Sequence, residues 1–106
     1  MTYGSWSGGI FELKLDAQTG LRDYTHKYDY EVNGTVATPG AADQNCTSDP
    51  YFGRKIAGGC YVSGEGSYVQ KIGDYYFLFL SYGGLNPSQG YQIRIFRSTS
   101  PEGPFT

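Results

Sequence analysis

The stretch from Tyr75 to Tyr82, YYFLFLSY, constrains this chain more than any other, because it places apolar side chains on both faces of a period-two pattern. A strand of that kind is stable only when each face is covered, as in stacked sheets or the blades of a propeller. It is preceded by 65–72 and the pair Gly73-Asp74, a two-residue connection suited to an antiparallel hairpin. It is followed by an alternating run at 91–98, YQIRIFRS, which closes on turn residues Pro101, Gly103 and Pro104. Three consecutive antiparallel strands are expected, with 75–82 in the middle.

The earlier part of the chain carries a second such pattern. In GIFELKLD at 9–16, Phe11, Leu13 and Leu15 alternate with Glu12, Lys14 and Asp16, which predicts a half-buried strand ending at the turn AQTG. The opening residues read as the end of a strand. Residues 21–50 hold no sustained period and predict a long irregular excursion with one short strand near 30–32. Order returns at 54–57 and breaks at Gly58-Gly59. Tyr3-Gly4, a turn and GIFELKLDAQTG are echoed by Tyr82-Gly83-Gly84, a longer turn and YQIRIFRSTSPEG, a repeat of the kind that builds propellers. No segment has a helical period.

At 106 residues the chain is long enough for one modest domain, spanning 1–106. Its 16 Gly and 11 Tyr, with only 17% charged residues, suit strands joined by tight turns. A net charge of −2 argues against a nucleic-acid partner, which a basic face would recognise, and favours a neutral ligand. Abundant tyrosine fits a sugar, whose C–H face stacks on aromatic rings, although most tyrosines in such a chain cover sheet surfaces. Cys46 and Cys60 permit at most one disulfide and have no zinc-ligand spacing; no cofactor or metal is implied. The longest apolar run, 75–80, is too short to cross a bilayer, so no membrane partner is expected.

Four separated segments, YGSWSGGIFELKLD, KIAGG, GEGSYVQKIGDYYFLFLSYGG and YQIRIFRSTSPEGPF, follow one another as in family 43 glycoside hydrolases, and most closely resemble the endo-acting arabinanases. The resemblance covers most of the chain outside 23–49. It implies a five-bladed propeller, of which this chain would be about one and a half blades, and an inverting mechanism run by three carboxylates on innermost strands. An Asp is the general base, a second Asp tunes the acid, and a Glu in a Gly-Glu-Gly-Pro-Tyr motif is the general acid. Gly64-Glu65-Gly66-Ser67-Tyr68 matches that motif, which makes Glu65 the acid candidate, with Ser67 where the family often has Pro.

Inversion requires one carboxylic acid to protonate the leaving oxygen while a carboxylate across the sugar, roughly 6.5–9.5 Å away, activates water. Taken from spacing alone, Glu65 is a turn residue before a strand; the resemblance turns the preference toward catalysis. The family's two aspartates precede the segment similar to Tyr3-Gly4-Ser5, so the chain alone is expected to be inactive. Asp49-Pro50 reads as a loop turn.

Ser5, Trp6 and Ser7 match a loop bordering the substrate cleft of similar enzymes. With Gly64, Gly66, Tyr82 and Gly83 they form the candidate sugar contacts, although Trp6 would equally cap a blade edge. The cation of related arabinanases is held by a histidine beyond Thr106, so His26 is expected as a solvated loop residue. The partner implied is plant cell-wall polysaccharide or oligosaccharide, and the parent enzyme would be secreted or periplasmic. A β-xylosidase or arabinofuranosidase of the same family, a non-catalytic carbohydrate-binding module and an unrelated β-sandwich are the competing readings. A chain cut through a blade would leave 9–16 and 91–98 with open edges, so self-association or pairing with a complementary propeller fragment is expected.

Overall fold

A computed structural model describes residues 1–6, 8–28, 52–58 and 64–106. The described residues are all-β, in two antiparallel sheets with no α-helix. The first sheet contains β1 (Thr2–Ser5), β2 (Gly9–Glu12) and β3 (Arg54–Ala57) in that order. The second contains β4 (Glu65–Ile72), β5 (Tyr75–Tyr82) and β6 (Gln92–Ser98). The expected three-stranded unit is therefore present, with β5 in its centre.

In the second sheet Ile72 pairs Tyr75 across the Gly73-Asp74 turn, and β5 and β6 stay in continuous register from Tyr76 opposite Ser98 to Tyr82 opposite Gln92. The pleat sends Leu78 and Leu80 to one face and Phe77 and Phe79 to the other. Leu78 and Leu80 join Ile10, Ile56, Ala57 and Phe105 in the core between the sheets, with Val69, Tyr76 and Phe96 packed around them. Each fully buried aliphatic side chain there is worth about 1.5–3 kcal/mol in removal from water. The sheets meet through β1 and β4, where the Thr2 hydroxyl donates to the Ser67 carbonyl at 3.3 Å.

Among the described residues the second face of β5 is covered only in part. Phe77 and Phe79 share it with Tyr68 of β4 and with Ile93 and Ile95 of β6, which are largely exposed. The pattern calls for burial on both sides, and the described residues bury the Leu78 and Leu80 side.

The strand expected at 9–16 is shorter than its alternation suggested, because the chain leaves the sheet after Glu12. Leu13 exchanges both backbone hydrogen bonds with Met1, and Leu15 is bridged to Arg22 around the turn that AQTG announced. The Asp16 carboxylate holds that turn by accepting from the backbone of Gln18 and Thr19 and from the Thr19 hydroxyl. β2 is also not an open edge: β1 and β3 flank it, and Ile10, on the Glu12 side, is fully buried. The side read as polar is thus the core side. Among the described residues β6, by contrast, is an edge along most of its length, and only Arg97 is matched there, exchanging N–H···O bonds of 2.8 and 2.9 Å with Thr106.

The sequence echo has a structural counterpart. Gly4 takes φ 120° and Gly83 φ 100°, and a Cβ on either would run into the carbonyl oxygen of the glycine across its turn, Gly9 and Gly90 respectively. Both turns bring two backbones to a separation only glycine allows. The short strand expected near 30–32, Asp49-Pro50, Cys46 and Cys60 lie outside the described residues.

Candidate active site

Glu65 is the first residue of β4, and alternation alone would set it on the Val69 side, toward the core. It does not lie there. Glu65 pairs Ser81 while Tyr68 pairs Phe79, so β4 contains one residue more than β5 over this span, a bulge at Gly66-Ser67. Gly66 adopts φ 61°, the left-handed conformation that one kind of bulge uses and that a side chain resists. The inserted residue carries Glu65 over to the exposed side, at the end of the sheet.

There it lines an open cleft of about 440 Å³ with Trp6, Gly64, Gly83, Gly84, Leu85, Gln89 and Tyr91. Such a volume lies within the range of ~300–1,000 Å³ usual for small-molecule sites. Trp6 sits in the turn after β1, and the other wall is the 83–91 loop after β5, so the cleft is formed by the two equivalent turns of the sequence echo. Four sequence-derived candidates, Trp6, Gly64, Glu65 and Gly83, converge in it.

Ser5 pairs with Gly9 inside β1–β2, Gly66 occupies the bulge, and Tyr82 lies beneath the Arg94 guanidinium at 3.7 Å, so none of the three is in the lining. Ser7 lies outside the described residues.

The loop 83–91 contributes Leu85, Gln89 and Tyr91, which sequence reasoning did not single out. Its position after a Tyr-Gly strand end, where the first unit places Trp6, was the available signal. The loop is internally fixed. Asn86 caps the 3₁₀ turn Pro87–Gln89, its side-chain oxygen accepting from the Ser88 amide and hydroxyl at 3.2 and 3.1 Å, and the Gln89 amide donates to the Asn86 carbonyl at 2.8 Å. Gly84 faces the Gln89 side chain, which occupies the place of its missing Cβ.

Chemically the cleft offers one carboxyl group among apolar and aromatic surfaces. Among the described residues no second carboxylate lines it, and no group of three or more His, Cys, Asp or Glu is arranged to hold a metal. It suits an uncharged ring with a single proton-transfer partner.

His26 is not a solvated loop residue. Its Nε2 contacts the Glu102 carboxylate, its ring meets Tyr28 edge-on at 4.8 Å, and Tyr28 is fully buried. It fastens the beginning of the excursion to the turn after β6. That group borders a separate cleft with Glu12, away from Glu65.

No family model matches the chain. It is 40% identical, over 99% of its length, to an extracellular endo-α-(1→5)-L-arabinanase of Thermotoga petrophila, and 38% identical to extracellular endo-α-(1→5)-L-arabinanase 2 of Bacillus subtilis. The described fold superposes on the crystal structure of an endo-1,5-α-L-arabinanase from Thermotoga petrophila with a TM-score of 0.68 at 38% identity. It also superposes on a family 43 glycoside hydrolase, the YxiA protein of Bacillus licheniformis, with a TM-score of 0.67 at 36% identity. The chain spans 18% of the length of those two curated relatives and 19% of each solved chain. Its two sheets, with Glu65 at a bulge between equivalent turns, belong to a segment of the family 43 glycoside hydrolase propeller.

Proposed function

We propose that this chain is the part of an arabinan-cleaving hydrolase that supplies the general acid, Glu65. The observation that carries the reading is the bulge at Gly66-Ser67, which moves Glu65 from the core side to the cleft and seats it with Trp6 and Tyr91. The names of the relatives, extracellular arabinanases, support α-1,5-linked arabinan as substrate and secretion of the parent enzyme.

In the proposed reaction the Glu65 carboxylic acid gives its proton to the glycosidic oxygen as the C–O bond breaks, so the departing sugar leaves as an alcohol. Water, deprotonated by a carboxylate outside this chain, forms the new C–O bond from the opposite face and inverts the anomeric carbon. Glu65 ends ionised and the base protonated, and exchange with solvent resets both. Alone, the chain has the acid and the aromatic surface without the base, and acts as a sugar-binding surface without turnover.

Residues 1–106 form one portion of the propeller, with the long excursion read in the sequence at about 21–50 lying between β2 and β3 along the chain. The open face of Tyr68, Phe79, Ile93 and Ile95 is covered by a complementary part of the propeller, or by a second copy when the chain is isolated.

Glu65→Gln in an enzyme containing this segment tests the proposal. Arabinan hydrolysis should fall by about 10²–10⁴-fold with the circular dichroism unchanged. Retention of activity within a factor of a few would overturn it.

A further inference from the structure

We propose that Tyr91 is a sugar-stacking residue of the cleft, a ring held ready for one face of an arabinofuranosyl unit beside Glu65. The inference rests on the arabinan reading above and goes beyond it in assigning a binding role to a residue that neither the acid motif nor the Ser5–Ser7 loop contains.

The tyrosines themselves provide the first observation. Tyr3 packs on Phe11, Tyr28 on His26, Tyr68 on Phe79 and Tyr75 on Phe77, while Tyr24, Tyr76 and Tyr82 are covered by Arg22, Lys71 and Arg94. Among the described tyrosines only Tyr91 has its ring against neither another ring nor a cation. It is 53% exposed and lines the cleft. A large aromatic left bare in a concave site, when its counterparts are all engaged, has the character of a ligand-binding surface.

The second observation is the rigidity of its support. Tyr91 stands between Gly90 and the first residue of β6, at the end of the loop closed by the Gly83–Gly90 approach and the Asn86 cap. A ring presented from so constrained a loop loses little freedom on binding, which favours affinity without new contacts. Among the described residues Glu65 is the one charged side chain in the lining, so the surface around Tyr91 favours an uncharged ligand. A furanose has a C–H face of that character, and its hydroxyls can remain in water because the cleft is open.

Trp6 is the single tryptophan of the chain and lines the same cleft, so its fluorescence reports occupancy directly. The 106-residue chain and its Tyr91→Ala, Tyr91→Leu and Tyr91→Phe variants would be titrated with α-1,5-arabino-oligosaccharides and, separately, with xylo-oligosaccharides. Thermal melts would establish that each variant is folded. The proposal expects arabino-oligosaccharide binding that Tyr91→Ala and Tyr91→Leu weaken by about three- to tenfold and Tyr91→Phe leaves unchanged. Binding that all three variants leave intact overturns the role of Tyr91 while the arabinan reading stands. Tyr91-dependent binding of the xylo-oligosaccharide alone overturns the arabinan reading while keeping the stacking role. Absence of any sugar response in the folded wild-type chain overturns the inference, and the arabinan reading is then judged by turnover of the Glu65→Gln enzyme.

Discussion

Glu12 should make the chain more stable in mild acid than at neutral pH. It lies on the core side of β2 with its Oε2 atom buried and without a hydrogen-bond partner among the described residues. Burial raises its pKa from 4.5 to about 7; the terminal amino group of Met1 and the Arg54 guanidinium oppose the rise, and the Glu102 carboxylate adds to it. A raised carboxyl binds its proton more tightly folded than unfolded. Its contribution is therefore fully present below pH 4.5, declines as pH rises, and is gone above pH 7.

At ~1.4 kcal/mol per pH unit the interval corresponds to about 3 kcal/mol, and residual solvent contact reduces this to about 2. Asp23, held down to about 2 by the Thr25 hydroxyl and amide, acts oppositely and only below its usual value of 3.8, so the two windows do not overlap. Urea denaturation of the chain at pH 5 and pH 8 should show the larger unfolding free energy at pH 5. Glu12→Gln, which keeps the shape without the titration, should abolish the difference. An undiminished difference in Glu12→Gln would refute the assignment, as would a wild-type chain equally stable at both values.

Leu78→Ala, at a fully buried position in the core between the sheets, should cost about 2–5 kcal/mol in chemical denaturation, far more than Ile93→Ala on the open face. Gly83→Ala should destabilise by more than about 1 kcal/mol and impair sugar binding, because its φ of 100° and the Gly90 carbonyl leave no room for a methyl group; equal melting temperatures would count against the close approach. Ile95→Lys should shift the isolated chain toward monomer in sedimentation across a dilution series, and unchanged association would place the contact elsewhere.

The strands of the second sheet were legible because two signals agreed there: the period-two patterns of 75–82 and 91–98, and a Gly-Asp turn of fixed length between 72 and 75. β2 was legible only in part. The FELKLD alternation continues past the point where Leu13 turns to pair with Met1, and Glu12 sits on the core side because Ile10 precedes it there. Polarity marked that face as solvent, and tertiary packing decided otherwise.

Glu65 was identified through its motif, yet its direction came from a one-residue bulge that no alternation reveals. Trp6 and Gly83 were found in the same way. Tyr91, Leu85 and Gln89 were not, because the loop that carries them has no periodicity and its shape depends on a cap and two glycine approaches. His26 looked solvated since its partner, Glu102, is remote in sequence.

The central claim, that Glu65 protonates the leaving oxygen, is tested most directly by leaving-group dependence in an enzyme containing this segment. Wild type and Glu65→Gln would each be assayed on debranched arabinan and on an aryl arabinoside whose phenolate departs without a proton. General-acid action predicts a loss of about 10²–10⁴-fold on arabinan and a much smaller loss on the aryl substrate. Equal losses on both substrates, or none on arabinan, would contradict the assignment.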